Sequence, residues 1–109
     1  MALTHITRLA FGRAIPMGGE VTDTDWQQFA DQHVATAFPD GFTVIHADGG
    51  WRDARTGETI TEPTVIVEVA HTNEPETLKA IRALAGAYKL IFAQDAVMAT
   101  TTAATVEFI

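Results

Sequence analysis

The sequence predicts one small α+β domain whose elements run βαββαβ, and three features carry that prediction. Two stretches repeat apolar residues at helical spacing behind capping signals. Between them Val65, Val67 and Val69 alternate with Ile66, Glu68 and Ala70 in the clearest strand pattern of the chain. The segment before the first helix is rich in Thr, Ile, Leu and Phe, and the one after the second is rich in Thr, Val and Ala with no helix signal.

From about Thr4 to Arg13, Leu9 and Phe11 fall on one face and Arg8 on the other, as in a first strand, and Ile15-Pro16-Met17-Gly18-Gly19 ends it as a loop. Thr22 then caps a helix, with Asp25 in the capping-box position, and Trp26, Phe29, Ala30, His33, Val34 and Ala37 form its inward stripe. Pro39 stops that helix and Asp40-Gly41 makes the turn. Phe42 to Ala47 reads as the second strand, broken or bulged at Asp48-Gly49-Gly50, with Pro63 suited to the start of the third. Between them, residues 49–61 have room for an extra hairpin. Asn73 caps the second helix with Glu76 as its partner, and Leu78, Ile81, Ala85, Tyr88 and Phe92 face the core. Ala96 to Ile109 reads as a last strand, long and bulged if it is continuous. This order is the split βαβ of the ferredoxin-like sandwich: an antiparallel four-stranded sheet with two helices on one face and the other face open. Residues 1–109 make one domain, of ordinary single-domain size. Chains of this shape pair through the open face, so a homodimer is expected.

Composition removes several classes of function. Asp and Glu outnumber Lys and Arg 14 to 7, giving a net charge of −7 that repels phosphate backbones and anionic membranes. No apolar stretch is long enough to span a bilayer, and the first residues lack the pattern of a signal peptide, so the expected location is cytoplasmic. With no cysteine there is no disulfide, thiol nucleophile or thiolate metal site, and with no serine there is no serine nucleophile elbow. His5, His33, His46 and His71 are scattered without ligand spacing, so neither a metal nor a cofactor is expected. Gly18-Gly19 and Gly49-Gly50 lack the spacing of phosphate-binding loops and are explained by turns.

The residues that core rules leave over are Arg13, Trp51, Arg52, Glu62, Tyr88 and Gln94. Arg13 ends the first strand beside Gly12, and Arg52 follows Trp51 after a double glycine. Two guanidinium groups aimed at one pocket would hold a small anion in their bidentate forks. The structural alternative pairs one of them with Glu62, Asp48 or Asp53 and locks the loops. Trp51 is either core or the wall of a pocket, and Tyr88 is a stripe residue whose hydroxyl needs a partner if buried.

Phe11-Gly12-Arg13, Val21 through Trp26 and Phe29, Phe38-Pro39-Asp40-Gly41-Phe42-Thr43-Val44, Gly50-Trp51-Arg52, Glu62-Pro63, and Tyr88 with Phe92-x-Gln94 together resemble the signature of an uncharacterised bacterial family, a domain of unknown function. The resemblance runs from about Arg8 to Met98 and implies that Arg13, Trp51, Arg52, Glu62, Tyr88 and Gln94 lie together. It brings no activity with it.

Two functions follow. One is a small-ligand binding protein or small cofactor-independent enzyme, with Arg13, Trp51, Arg52 and Gln94 binding an anionic ligand and Tyr88 and Glu62 as proton-transfer groups. The other is a noncatalytic dimeric assembly module in which the same polar residues only fix the loops and the small residues of Thr100 to Thr105 let chains approach.

Overall fold

The computed structural model describes residues 2–109. Strand β1 (His5–Gly12) leads through a loop to helix α1 (Asp23–Phe29), which runs on through a π-helical turn (Ala30–Val34) into a short α2 (Ala35–Ala37). Strands β2 (Thr43–Arg52) and β3 (Thr59–His71) form a hairpin, followed by helix α3 (Pro75–Ile91) and strand β4 (Met98–Ala103). The sheet order is β2-β3-β1-β4 with every neighbouring pair antiparallel, so β3 lies between β1 and β2 as the split βαβ order requires.

The first helix begins where the sequence says. Thr22 Oγ1 accepts from Asp25 N–H and the Asp25 carboxylate accepts from Thr22 N–H, both at 3.1 Å, closing the capping box. Besides Phe29, its buried residues Trp26, Ala30 and Val34 and the following Phe38 recur every fourth position. On a pure α-helix that spacing drifts around the cylinder; the wider π turn takes up the excess and keeps all of them on the sheet. The second helix starts one residue later than its Asn73 signal implies. Glu74 is the extended cap residue and makes no side-chain capping bond; Pro75, whose missing N–H costs nothing there, occupies the first helical position.

Leu9, Phe11, Val65 and Val67 send their side chains to the helix side and are fully buried. Phe11 is the hub of the core, with its ring 4.7 Å from Tyr88, 5.4 Å from Trp26 and 5.9 Å from Phe29.

The hairpin corrects three sequence expectations. Gly49-Gly50 neither breaks nor bulges β2, whose register with β3 is unbroken from Thr43 opposite Glu68 to Arg52 opposite Thr59. The possible extra hairpin over residues 49–61 is the outer end of the β2–β3 hairpin itself, so no strand is added. Pro63 sits inside β3, not at its start. Its carbonyl accepts from Arg13 N–H at 2.9 Å, on the side facing the end of β1. The N–H that proline lacks would have met the Arg13 carbonyl, and Val21 N–H takes that carbonyl instead at 2.8 Å. The proline thus lets the chain leave the sheet after Arg13. The last strand is shorter than expected, ending at Ala103, although Ala104 N–H still reaches Thr4 O at 2.9 Å.

The arm made by residues 48–63 extends beyond the end of β1, which pairs only with Thr64–His71 of β3. The radius of gyration is 15.0 Å and the long axis 49 Å, against about 13 Å expected for a compact chain of this length. Among the described residues, no helix is long and apolar enough to cross a membrane.

Candidate functional site

Strand β4 begins opposite Ala10, so the last residues of β1 have no strand on that edge. Side chains supply the missing bonds. The Tyr88 hydroxyl donates to Gly12 O at 2.7 Å, Ala14 N–H donates to Glu62 Oε2 at 2.9 Å, and Gln94 Nε2 donates to Ala14 O at 3.0 Å. On the opposite edge Arg13 Nε donates to Val21 O at 2.8 Å, and its guanidinium meets Asp23 Oδ1 at 2.8 Å and Glu20 at 3.7 Å. Four of the six residues singled out from the sequence, Arg13, Glu62, Tyr88 and Gln94, therefore gather around Gly12-Arg13-Ala14. The ion-pair partners are Asp23 and Glu20, not Glu62, Asp48 or Asp53, because the loop folds back to an Ala14–Glu20 bridge and brings those acids to Arg13.

Trp51 and Arg52 lie farther out, on the arm, opposite Ile60 and Thr59. Four residues of β3, about 13 Å of strand, separate the partners of Arg52 and Arg13, Thr59 and Pro63. The Arg52 guanidinium lies over the Gly57 turn. The two arginines are not a clamp on one pocket, since Arg13 is held by Asp23 and a carbonyl. Trp51 is 55% exposed and is not core.

Glu62 differs from its neighbours. Cross-strand pairing places it opposite Gly49, with Trp51 opposite Ile60 two pairs farther out, so Glu62, Ile60 and Trp51 share the face turned away from the helices. Gly12 makes room for its carboxylate, and Gly49 for the neighbouring Thr64 hydroxyl. A Cβ on Gly12 would stand 3.0 Å from Glu62 Oε1 and 3.1 Å from Oε2, and one on Gly49 would stand 2.8 Å from Thr64 Oγ1 and 3.7 Å from Glu62 Cγ. Only Oε2 has a hydrogen-bond partner among the described residues, leaving Oε1 on the open face. Sequence reading explained Gly49 by turn geometry; a glycine inside a strand also signals close approach of another group, which is the Glu62 carboxylate at Gly12 and the Thr64 hydroxyl at Gly49.

Tyr88 is fully buried. Burial is the main cause that pushes its phenol well above the ordinary value; the nearby Arg13 charge opposes that rise and Glu62 adds to it. A phenol in this state keeps its proton and donates it to Gly12 O.

A second polar cluster joins β1, β3 and β4. His71 Nδ1 donates to Thr72 O at 2.6 Å, which in the neutral ring leaves Nε2 to accept from Thr7 Oγ1 at 2.6 Å, and Thr7 in turn meets Thr101 Oγ1 at 2.7 Å. His71 and Thr7 are buried, and the chain of bonds satisfies both. Among the described residues no three His, Asp or Glu side chains gather as a metal site. Two surface clefts lie elsewhere: one of about 550 Å3 between α1 and β2, bordered by Trp26, Asp31, Phe42 and His46, and one of about 660 Å3 bordered by Phe38, His71, Thr77 and Phe108.

Residues 6–108 match the family described as protein of unknown function (DUF3574). The chain belongs to the DUF3574 family. A comparison with curated proteins finds no match. Among solved structures, a phage SAM lyase in complex with S-methyl-5'-thioadenosine is similar in fold, with TM-score 0.67 and 15% identity over 100% of this chain and 95% of that one. A phage SAM lyase in its apo state is also similar, with TM-score 0.62 and 15% identity over 96% of this chain and 91% of that one. At that identity the likeness establishes shared architecture for this DUF3574 chain along its whole length.

Proposed function

We propose that this DUF3574 chain is a small-molecule-binding domain of the enzyme type, acting without a cofactor, with Glu62 as its acid–base group and Trp51 as the wall of the site. The observation that carries this reading is the second oxygen of Glu62. Arg13, Tyr88 and Gln94 spend their polar groups on Val21, Asp23, Gly12 and Ala14, which suits them to positioning. Glu62 uses one oxygen to hold Ala14 N–H, and the other, over Gly12, has no hydrogen-bond partner among the described residues. A carboxylate next to an exposed indole on the same strand face can accept a proton from a ligand, or hold a cationic centre between its charge and the ring. Arg52 follows Trp51 and so points to the other side of the ribbon, where it has no part in this pair.

The architecture shared with phage SAM lyase, an enzyme seen with S-methyl-5'-thioadenosine bound, supports the reading and supplies a probe. Calorimetric titration with S-methyl-5'-thioadenosine and with SAM is expected to show binding that falls at least tenfold in Trp51→Ala and in Glu62→Gln, both still folded. No binding by the wild type to either probe at millimolar concentration, or equal binding by all three proteins, overturns it.

A further inference from the structure

We infer that a second copy of this chain covers the open face of the sheet. The register sends Ile6, Ala10, Ile45, Ile60, Ile66 and Trp51 to that face, where no helix packs. Ile45 is 41% exposed and Trp51 55%. These apolar positions extend from the sheet onto the arm, with Thr64 and Glu62 between Ile66 and Ile60, and the arm has no core of its own to bury them.

Charge says why the occupant is another copy. The chain carries −7 overall, so two copies repel wherever acidic residues dominate. On the open face the strand positions carry one cation, Arg8, and two anions: Glu68, joined to Arg8 at 2.7 Å between two rows of isoleucine and alanine, and Glu62 toward the arm. A two-fold axis through the Arg8–Glu68 pair brings each Arg8 to the other copy's Glu68 as well as its own, so the centre of the contact is self-complementary and its charges balance, with Glu62 left at the margin. Opposite Arg8 and Ile6, β4 contributes Thr100 and Thr102, small enough to let the partner sheet approach.

Area is sufficient. Four strands at about 4.8 Å and eight residues at about 3.4 Å give a face of about 19 by 27 Å, or about 500 Å2 per copy. The two faces together bury about 1,000 Å2, the lower bound for a specific interface, so the dimer is a dissociable one. The Glu62–Trp51 pair lies at the margin of this face, beside the partner.

Sedimentation of the full chain without ligand, from 0.1 to about 200 μM, tests the inference independently of any small-molecule site. A monomer–dimer equilibrium is expected. Ile45→Glu, at a position the monomer leaves half in water and therefore tolerates, is expected to weaken it at least fiftyfold with unchanged circular dichroism. Arg8→Glu and Glu68→Arg are each expected to weaken it at least fivefold, and the double swap to recover most of the loss. A monomer throughout the range overturns the inference, as does association that Ile45→Glu leaves unchanged, which would place the contact on the strand edges.

Discussion

Replacing Tyr88 by Phe separates the structural duty of this side chain from any chemical one, through the pH dependence of stability. The ring stays, with its contacts to Phe11 at 4.7 Å and Phe29 at 5.1 Å, and only the hydroxyl that donates to Gly12 O is lost. A buried carbonyl deprived of its donor costs about 1–3 kcal/mol. At about 1.5 kcal/mol, a domain of this size loses roughly 6–9 °C in Tm near neutral pH. In the folded wild type the phenol is raised above its value in the unfolded chain, chiefly by burial. Below pH 10 both states hold the proton and stability does not depend on it. Above about pH 10 the unfolded chain releases a proton that the folded chain keeps, so wild-type stability falls as pH rises, by about 1.4 kcal/mol at pH 11. Tyr88→Phe lacks that slope, and Tyr88 is the only tyrosine in the chain. The two stability curves therefore converge and meet near pH 11, where the lost bond and the lost slope cancel. Urea unfolding at intervals from pH 8 to 11.5 measures both. Parallel curves across that range refute the reasoning, because they would mean that the phenol ionises as readily in the folded protein as in the unfolded one.

Two further substitutions test the supports of the site. Gly12→Ala puts a methyl 3.0–3.1 Å from both Glu62 oxygens and must shift a carboxylate that holds Ala14 N–H; a loss of about 1–2 kcal/mol is expected, and it shrinks in a Glu62→Ala background, where a denaturation double-mutant cycle reads the coupling. Thr22→Ala removes the reciprocal cap of α1 and is expected to cost about 1 kcal/mol, seen as a lower urea midpoint with an unchanged slope.

Where local chemistry decides the structure, the sequence was sufficient. Thr22 and Asp25 sit three apart with nothing else to bond, and they close the capping box. The Val65, Val67, Val69 alternation has one way to bury its valines, and they are buried. Sequence reasoning failed where two local signals competed or where a partner came from far along the chain. Asn73 looks like a cap, but Pro75 sets the first helical residue and moves the cap to Glu74. Gly49-Gly50 looks like a break, but the ladder passes straight through it. Arg13 needed an acid, and several were available; the loop closure from Ile15 to Glu20 selects Asp23, which no spacing rule shows. The gathering of Arg13, Glu62, Tyr88 and Gln94 was legible through the family resemblance, whereas the separation of Trp51 and Arg52 onto the arm depends on the length of β2.

The identity of residue 62 bears on which function the cluster serves. The bond to Ala14 N–H requires an acceptor oxygen and nothing more. Glutamine at this position offers the same oxygen on a side chain of the same length, without a charge to desolvate and without the carboxylate field that helps push up the Tyr88 phenol. A pure brace is therefore served at least as well by glutamine. What glutamate adds is a second acceptor oxygen able to bind or take a proton, on a side chain that shares the open face with Trp51 two strand pairs away. If the cluster is only a brace, Glu62→Gln changes nothing beyond a slight gain in stability. If it is a site, the same substitution leaves the fold at least as stable and removes ligand binding, so the two measurements move in opposite directions on a single residue.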